Sequence, residues 1–274
     1  MPILSLVRAL LLTTAVFLSP PVLSDVLILT PDTDYGKNVA EQLKSRIASP
    51  SRITHSLDIN PDTELVVALG RDSFLEASSK AEVPVIGSFL SPLDQVDGPG
   101  NGPRYRIFSD PSPGQIAEFL ASRFPNSVIG YIYTAEEAQV VKDVHDALKG
   151  SSTRLESLPF SGNTFSDIRE LSRKGINAML ITKNRDIYNP ERVRFVLEAL
   201  FRKKMPVVST STALVPAGAT VSIAPSPEAI IDATSGSVNG LLKEPPNAPP
   251  AAAYVEHATV QVNRTMSEYF NIDF

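Results

Sequence analysis

The chain has 274 residues, 43% hydrophobic and 20% charged. That balance excludes a disordered or fibrous protein and supplies apolar side chains for one large domain or two smaller ones. There is no cysteine, which excludes disulfides, thiolate metal sites, cysteine nucleophiles and a cysteine-borne lipid anchor, and the net charge of −5 speaks against nucleic acid as a partner. Residues 1–8 carry one base, Arg8, and no acid; 9–18 is an apolar run of signal-peptide length, shorter than the ~20 residues of a membrane span. Pro20 and Pro21 break it, and Val22 and Ser24 suit a cleavage site before Asp25. Residues 1–24 are therefore expected to be a signal peptide that directs the chain to a periplasm.

From Asp25 onward, strand and helix patterns alternate. Strands are expected at 26–29, 53–57 (an edge), 65–69, 83–86 and 105–108, with helices at 35–47 and 71–80; Asp32 or Asp34 would cap the first. Residues 97–103 read as a loop. A second block follows, with helices at 112–124, 136–148, 165–174 and 190–203 between strands at 128–133, 154–158, 178–181 and 206–209. A helix from near Pro225 to about Leu242, a proline-rich linker at 244–250, one long strand at 252–262 and a short helix at 266–270 complete the chain. Two such blocks predict an α/β protein of two Rossmann-like lobes with parallel sheets. Ligands of such sheets bind outside the carboxyl ends of the strands, here in the cleft between lobes.

No catalytic set stands out. His55, His145 and His257 lack metal spacing, and no nucleophile elbow, phosphate loop or dinucleotide fingerprint is present. Gly98, Gly100 and Gly102 follow no strand, and Asp32-Thr33-Asp34-Tyr35-Gly36 lacks the acids of a calcium loop. Neither a metal nor a cofactor is expected, nor is enzymatic activity. The residues just after the strands are the candidate ligand contacts: Thr30, Arg71, Asp72, Ser88, Phe89, Tyr133, Thr134, Lys183, Asn184, Ser209 and Ser211. Arg71 could clamp a carboxylate, and Phe89 and Tyr133 could sandwich an apolar body.

Several motifs carry a resemblance. Phe108-Ser109-Asp110-Pro111-Ser112-Pro113-Gly114-Gln115, Pro125-Asn126-Ser127-Val128-Ile129-Gly130-Tyr131-Ile132-Tyr133, Met205-Pro206-Val207-Val208-Ser209-Thr210-Ser211 and the lysine and proline linker at 241–250 follow one another in a familiar order. Over most of 26–274 the chain resembles the periplasmic substrate-binding components of uncharacterised ABC importers, whose better-known members bind tryptophan or tyrosine. The resemblance implies a type I periplasmic binding protein with a three-crossover hinge, placed near 109–110, 223–225 and 249–251. One lobe would comprise 25–109 and 224–250, the other 110–223 and 251–274. It also implies a small-molecule ligand and an inner-membrane ABC permease as partner, and a monomer is expected. Two departures bear on the ligand: family acids suited to an ammonium align with Ser211 and Asn184, while Arg71, Lys183 and Arg185 stand at strand ends. A carboxylate-bearing or neutral ligand with an apolar body is expected. A third departure is the short 57–64 segment, which has no room for the family's second helix. That trimming leaves open a sensory or interaction protein that keeps the fold without serving a transporter.

Overall fold

The computed structural model describes residues 25–94, 102–243 and 252–274. The signal peptide expected at 1–24, most of the loop expected at 97–103, the linker expected at 244–250 and the crossover expected at 249–251 lie outside the described residues. The first half runs β1 (Asp25–Leu29), α1 (Asp34–Lys44), β2 (Ser51–Thr54), β3 (Thr63–Leu69), α2 (Arg71–Lys80), β4 (Val85–Leu90), β5 (Arg104–Phe108), α3 (Pro113–Arg123), β6 (Val128–Tyr133) and α4 (Ala138–Ala147). Then come β7 (Arg154–Pro159), α5 (Thr164–Arg173), β8 (Ala178–Ile181), α6 (Pro190–Arg202), β9 (Val207–Ser209), β10 (Val221–Ala224), α7 (Pro227–Lys243), β11 (Ala252–Tyr254), β12 (Thr259–Val262) and α8 (Arg264–Phe270).

The strands form two six-stranded sheets, ordered β11-β5-β4-β3-β1-β2 and β12-β10-β9-β8-β6-β7. The described pairings are parallel except that of β12 with β10. Side chains alternate across each strand, so a sheet covered on both faces needs apolar residues at every position. In β1, Val26 and Ile28 pack with α1 and α7, while Leu27 and Leu29 pack with α2. In the second sheet, Ile129 and Tyr131 of β6 face α3 and α4, and Ile132 faces α5 and α6.

The chain passes between the sheets three times. It leaves β5 for α3 through residues 109–112, leaves β10 for α7 through 225–226, and leaves β11 for β12 through 255–258. The third passage corrects the expected single strand at 252–262. Ala252–Tyr254 pairs with β5 in the first sheet, whereas Thr259–Val262 pairs antiparallel with β10 in the second. An uninterrupted strand cannot pair in two sheets, so His257, expected within it, lies in the passage. β10 itself is a strand where the sequence suggested only a crossover. The first and third passages are tied together. Gln115 accepts from the backbone N–H of Ser112 in the capping box of α3, and its amide donates to the carbonyls of Val255 and Glu256 at 3.2 and 2.7 Å.

Two local differences and one expected feature have physical causes. Thr33, not Asp32 or Asp34, caps α1, because its hydroxyl accepts from the Gly36 N–H at 3.0 Å; Asp32 instead pairs with Lys37. β4 spans Val85–Leu90 rather than 83–86, with Phe89 at a positive φ of 59° where the pairing with β5 shifts register. Between β2 and β3 no helix forms, as the short segment requires. Leu57 and Ile59 cover the α2 face of the sheet there, and Arg52 fixes the segment by bonding Asp25, Thr63 and the Asp58 carbonyl.

Helix α2 sits close on β4 because Gly87 lacks a side chain. A Cβ there would lie 2.4 Å from a ring carbon of Phe74 and 2.6 Å from a methyl of Leu90. Gly87→Ala is expected to destabilise the fold by about 1–3 kcal/mol through overpacking, read by denaturant unfolding. An unchanged midpoint would show that the helix can shift at no cost.

Candidate functional site

A cleft with about 390 Å³ of empty space, part of it open to solvent, lies where the two sheets meet. Its floor comes from strand ends of the second sheet: Tyr131 of β6, Thr182, Lys183 and Asn184 after β8, and Thr210 after β9. Ser91, Pro92 and Leu93 after β4, with Tyr254 of β11, form the opposite wall. Asp110 and Pro111 of the first passage bridge the two. Strands end there because the turn into the next helix needs polar, non-helical backbone, so polar side chains collect at the rim.

Two carboxylates define the chemistry. Glu137 is buried and saturated. It accepts from the Tyr131 hydroxyl at 3.1 Å, the Thr182 hydroxyl at 3.0 Å, the Asn184 amide at 2.6 Å and the Thr134 N–H at 3.1 Å. Burial and this carboxylate push the Tyr131 phenol well above its usual range, so it stays a donor. Asp110 is buried but not saturated. Its Oδ1 accepts from Thr210 at 3.4 Å and lies 3.7 Å from Lys183 Nζ; its Oδ2 has no hydrogen-bond partner among the described residues. Burial lifts the Asp110 carboxyl above the ordinary carboxylate range, against the opposing pull of Lys183 and Thr210, with Asp94 adding to the rise.

Lys183 is committed elsewhere. Its ammonium donates to the Ser109 carbonyl at 2.7 Å and hydroxyl at 3.2 Å, and Ser109 is held to the end of β4 through the Leu90 carbonyl. The second sheet's β8 loop is thereby fastened to the first passage.

Of the residues expected from sequence, Lys183 and Asn184 line this cleft. The others do not. Thr30 is buried beneath the His55 ring, which donates to its carbonyl; Ser88 bonds Thr234 of α7 in the core; Ser209 and Ser211 bond one another. Phe89 packs on the α1 and α7 side with Tyr35 at its edge, and Tyr133 packs beside Tyr131. Thr134 supports Glu137, and Asp72 is exposed. Arg71 points to Asp94, Nε to Oδ1 3.2 Å, and Arg185 is exposed. The charged residues lining this cleft are two carboxylates, Asp110 and Glu137, and one engaged ammonium, Lys183. Sequence reasoning missed Asp110, Glu137, Thr182, Thr210 and Tyr254. For Glu137 a signal existed, the Thr134-x-x-Glu137 capping box.

Comparison with solved structures places the architecture. A tryptophan-complexed ABC domain from Streptococcus pneumoniae superposes with a TM-score of 0.59 at 15% identity, covering 91% of this chain and 94% of that one. A ligand-free, open substrate-binding protein with adhesive properties from Clostridium difficile gives 0.62 at 15% identity, covering 91% and 95%. The fold is that of the type I periplasmic binding proteins. A structure of the TorS sensor domain with TorT also matches, with a TM-score of 0.50 at 10% identity over 88% of this chain and 93% of that one. No family model matches the sequence, and no curated protein does. Among the described residues no group of three potential metal ligands occurs, and no helix is long and apolar enough to cross a membrane.

Two measurements test this polar floor. A carboxyl group whose folded pKa lies above its usual 3.8 holds a proton in the folded state that the unfolded chain has lost. Stability therefore falls as pH rises through that window, and the penalty is complete above it. Asp110→Asn is expected to raise the melting temperature of ligand-free protein at pH 7, with the gain fading below about pH 4. A lowered melting temperature at pH 7 would show that the Lys183 pairing outweighs burial. Glu137→Gln would turn an amide towards donors already aimed at it and is expected to cost about 1–3 kcal/mol, measured by chemical denaturation.

Proposed function

We propose that the chain is a periplasmic solute-binding protein of an ABC-type importer. A small ligand enters the cleft at the strand ends, the two lobes close on it about the three passages, and the closed form is presented to an inner-membrane permease. The observation that carries this reading is the position of the cleft: Asp110, Pro111 and Tyr254, from the first passage and the threshold of the third, stand in its wall. Ligand contact there acts directly on the segments that must bend when lobes close. The leader pattern at 1–24 supports export, and binding is supported by the described cleft residues Glu137 and Lys183, the first saturated and the second engaged.

A second reading, a sensory or interaction protein without a transporter, draws on the helix-free segment between β2 and β3. It leaves that face of the first lobe flatter than an additional helix would. Copurification from detergent-solubilised inner membrane distinguishes the two: a permease recovered with the closed form supports the importer, and a sensor protein recovered instead supports the alternative.

Native mass spectrometry of protein isolated from its own periplasm is expected to show a chain beginning at Asp25 with a small molecule bound. Scattering from that sample should give a smaller radius of gyration than the stripped protein. A full-length mass, or identical scattering from both, would count against the proposal.

A further inference from the structure

We propose that the cleft selects a small organic cation, a ligand with an apolar body and a protonated amine that donates to Asp110. This rests on the solute-binding reading and specifies its substrate class. The argument begins with unspent hydrogen-bonding capacity. Around the cleft the polar groups largely satisfy one another: four donors occupy Glu137, and Lys183 Nζ is spent on Ser109 and Asp110. Asp110 alone among these three keeps an acceptor, Oδ2, buried with no partner. A buried acceptor left open is costly, and the cost is recovered when a donor is brought to it.

Charge points the same way. Two carboxylates face one ammonium in the lining, so the cleft is short of positive charge. An incoming carboxylate would meet Asp110 and Glu137, and the one cation among the described lining residues, Lys183, is already engaged, while Arg71 nearby is turned to Asp94. For the same reason an amino acid is a poorer fit than the corresponding amine: its ammonium could reach Asp110, but its carboxylate would lack a partner. Beside the polar Ser91, Thr182, Asn184 and Thr210, the lining has an apolar part formed by Pro92, Leu93, Ile116 and Val140 with the rings of Tyr131 and Tyr254. Such a wall accepts a hydrocarbon or aromatic body, and a ring near a bound cation adds attraction.

The test uses the exported protein, stripped of bound small molecules, and four probes that share one body: phenethylamine, 2-phenylethanol, phenylacetate and phenylalanine. Titration calorimetry at pH 7 is expected to show phenethylamine binding about tenfold or more tightly than each of the others. Asp110→Asn, checked for native circular dichroism, should weaken phenethylamine about tenfold or more while leaving 2-phenylethanol within about twofold. Because the ranking in the unsubstituted protein stands by itself, the test survives a variant that fails to fold. Phenylacetate or phenylalanine binding as tightly as the amine overturns the proposal, as does amine binding indifferent to Asp110→Asn, or heat from none of the four. The parent reading fails differently: if carboxylates bind and compact the protein in scattering, the solute-binding reading stands and only the cation class falls. If no probe and no copurified molecule compacts it, the solute-binding reading falls too.

Discussion

A parallel sheet has no face to spare for water. Its strands are joined by crossovers that lie over both faces, so each strand must be apolar throughout and each face must be covered. The inner strands of the two sheets obey that constraint with clusters of buried Val, Ile and Leu on either side, while the edge strands β2, β7, β11 and β12 are partly polar and less buried. The chain meets it by lending elements across the molecule. Helix α7 follows a strand of the second sheet but covers the first, where Ile230, Ile231 and Val238 join the α1 face. Strand β11 extends the first sheet just before the chain re-enters the second as β12. The three passages are the consequence of this exchange.

With the passages at one end, the strand ends they connect must face one another. Polar groups gather there and face two demands. Most satisfy the structure: Glu137 takes four donors and Gln115 ties two passages together. Asp110 satisfies it least, being buried with one oxygen open and its carboxyl raised by burial.

One link between the two sheets' loops is a pair of hydrogen bonds. Lys183 reaches from the β8 loop to Ser109, whose own contacts hold it to the end of β4. A bridge of two hydrogen bonds to one residue can open and re-form without unpacking either core, and this is the kind of contact that hinge motion tolerates.

Local patterns made most of the architecture legible. Apolar runs such as 26–29, 65–69 and 178–181 announced buried strands, and the helical spacing of Val39, Leu43 and Ile47 announced a helix, because burial imposes a period on neighbouring residues. The missing helix before β3 was readable from length alone. Less legible were β4, where Gly87 and Ser88 interrupt the apolar run, and the split of 252–262, where both halves look like one strand until their partners are known. The cleft was the least legible part. Of the residues at strand ends, Lys183 and Asn184 line the cleft, whereas Arg71 and Phe89, equally close to strand ends in sequence, turn to Asp94 and to the α1 side. Alternating burial is a property of neighbours in the chain, so the sequence by itself determined the α/β class and the order of elements. The charge of the cleft depends on which loops meet across the passages and which side chains have already found partners. Only the tertiary structure decided that Asp110 lines the cleft with one buried oxygen lacking a hydrogen-bond partner among the described residues, while Lys183 and Arg71 are engaged.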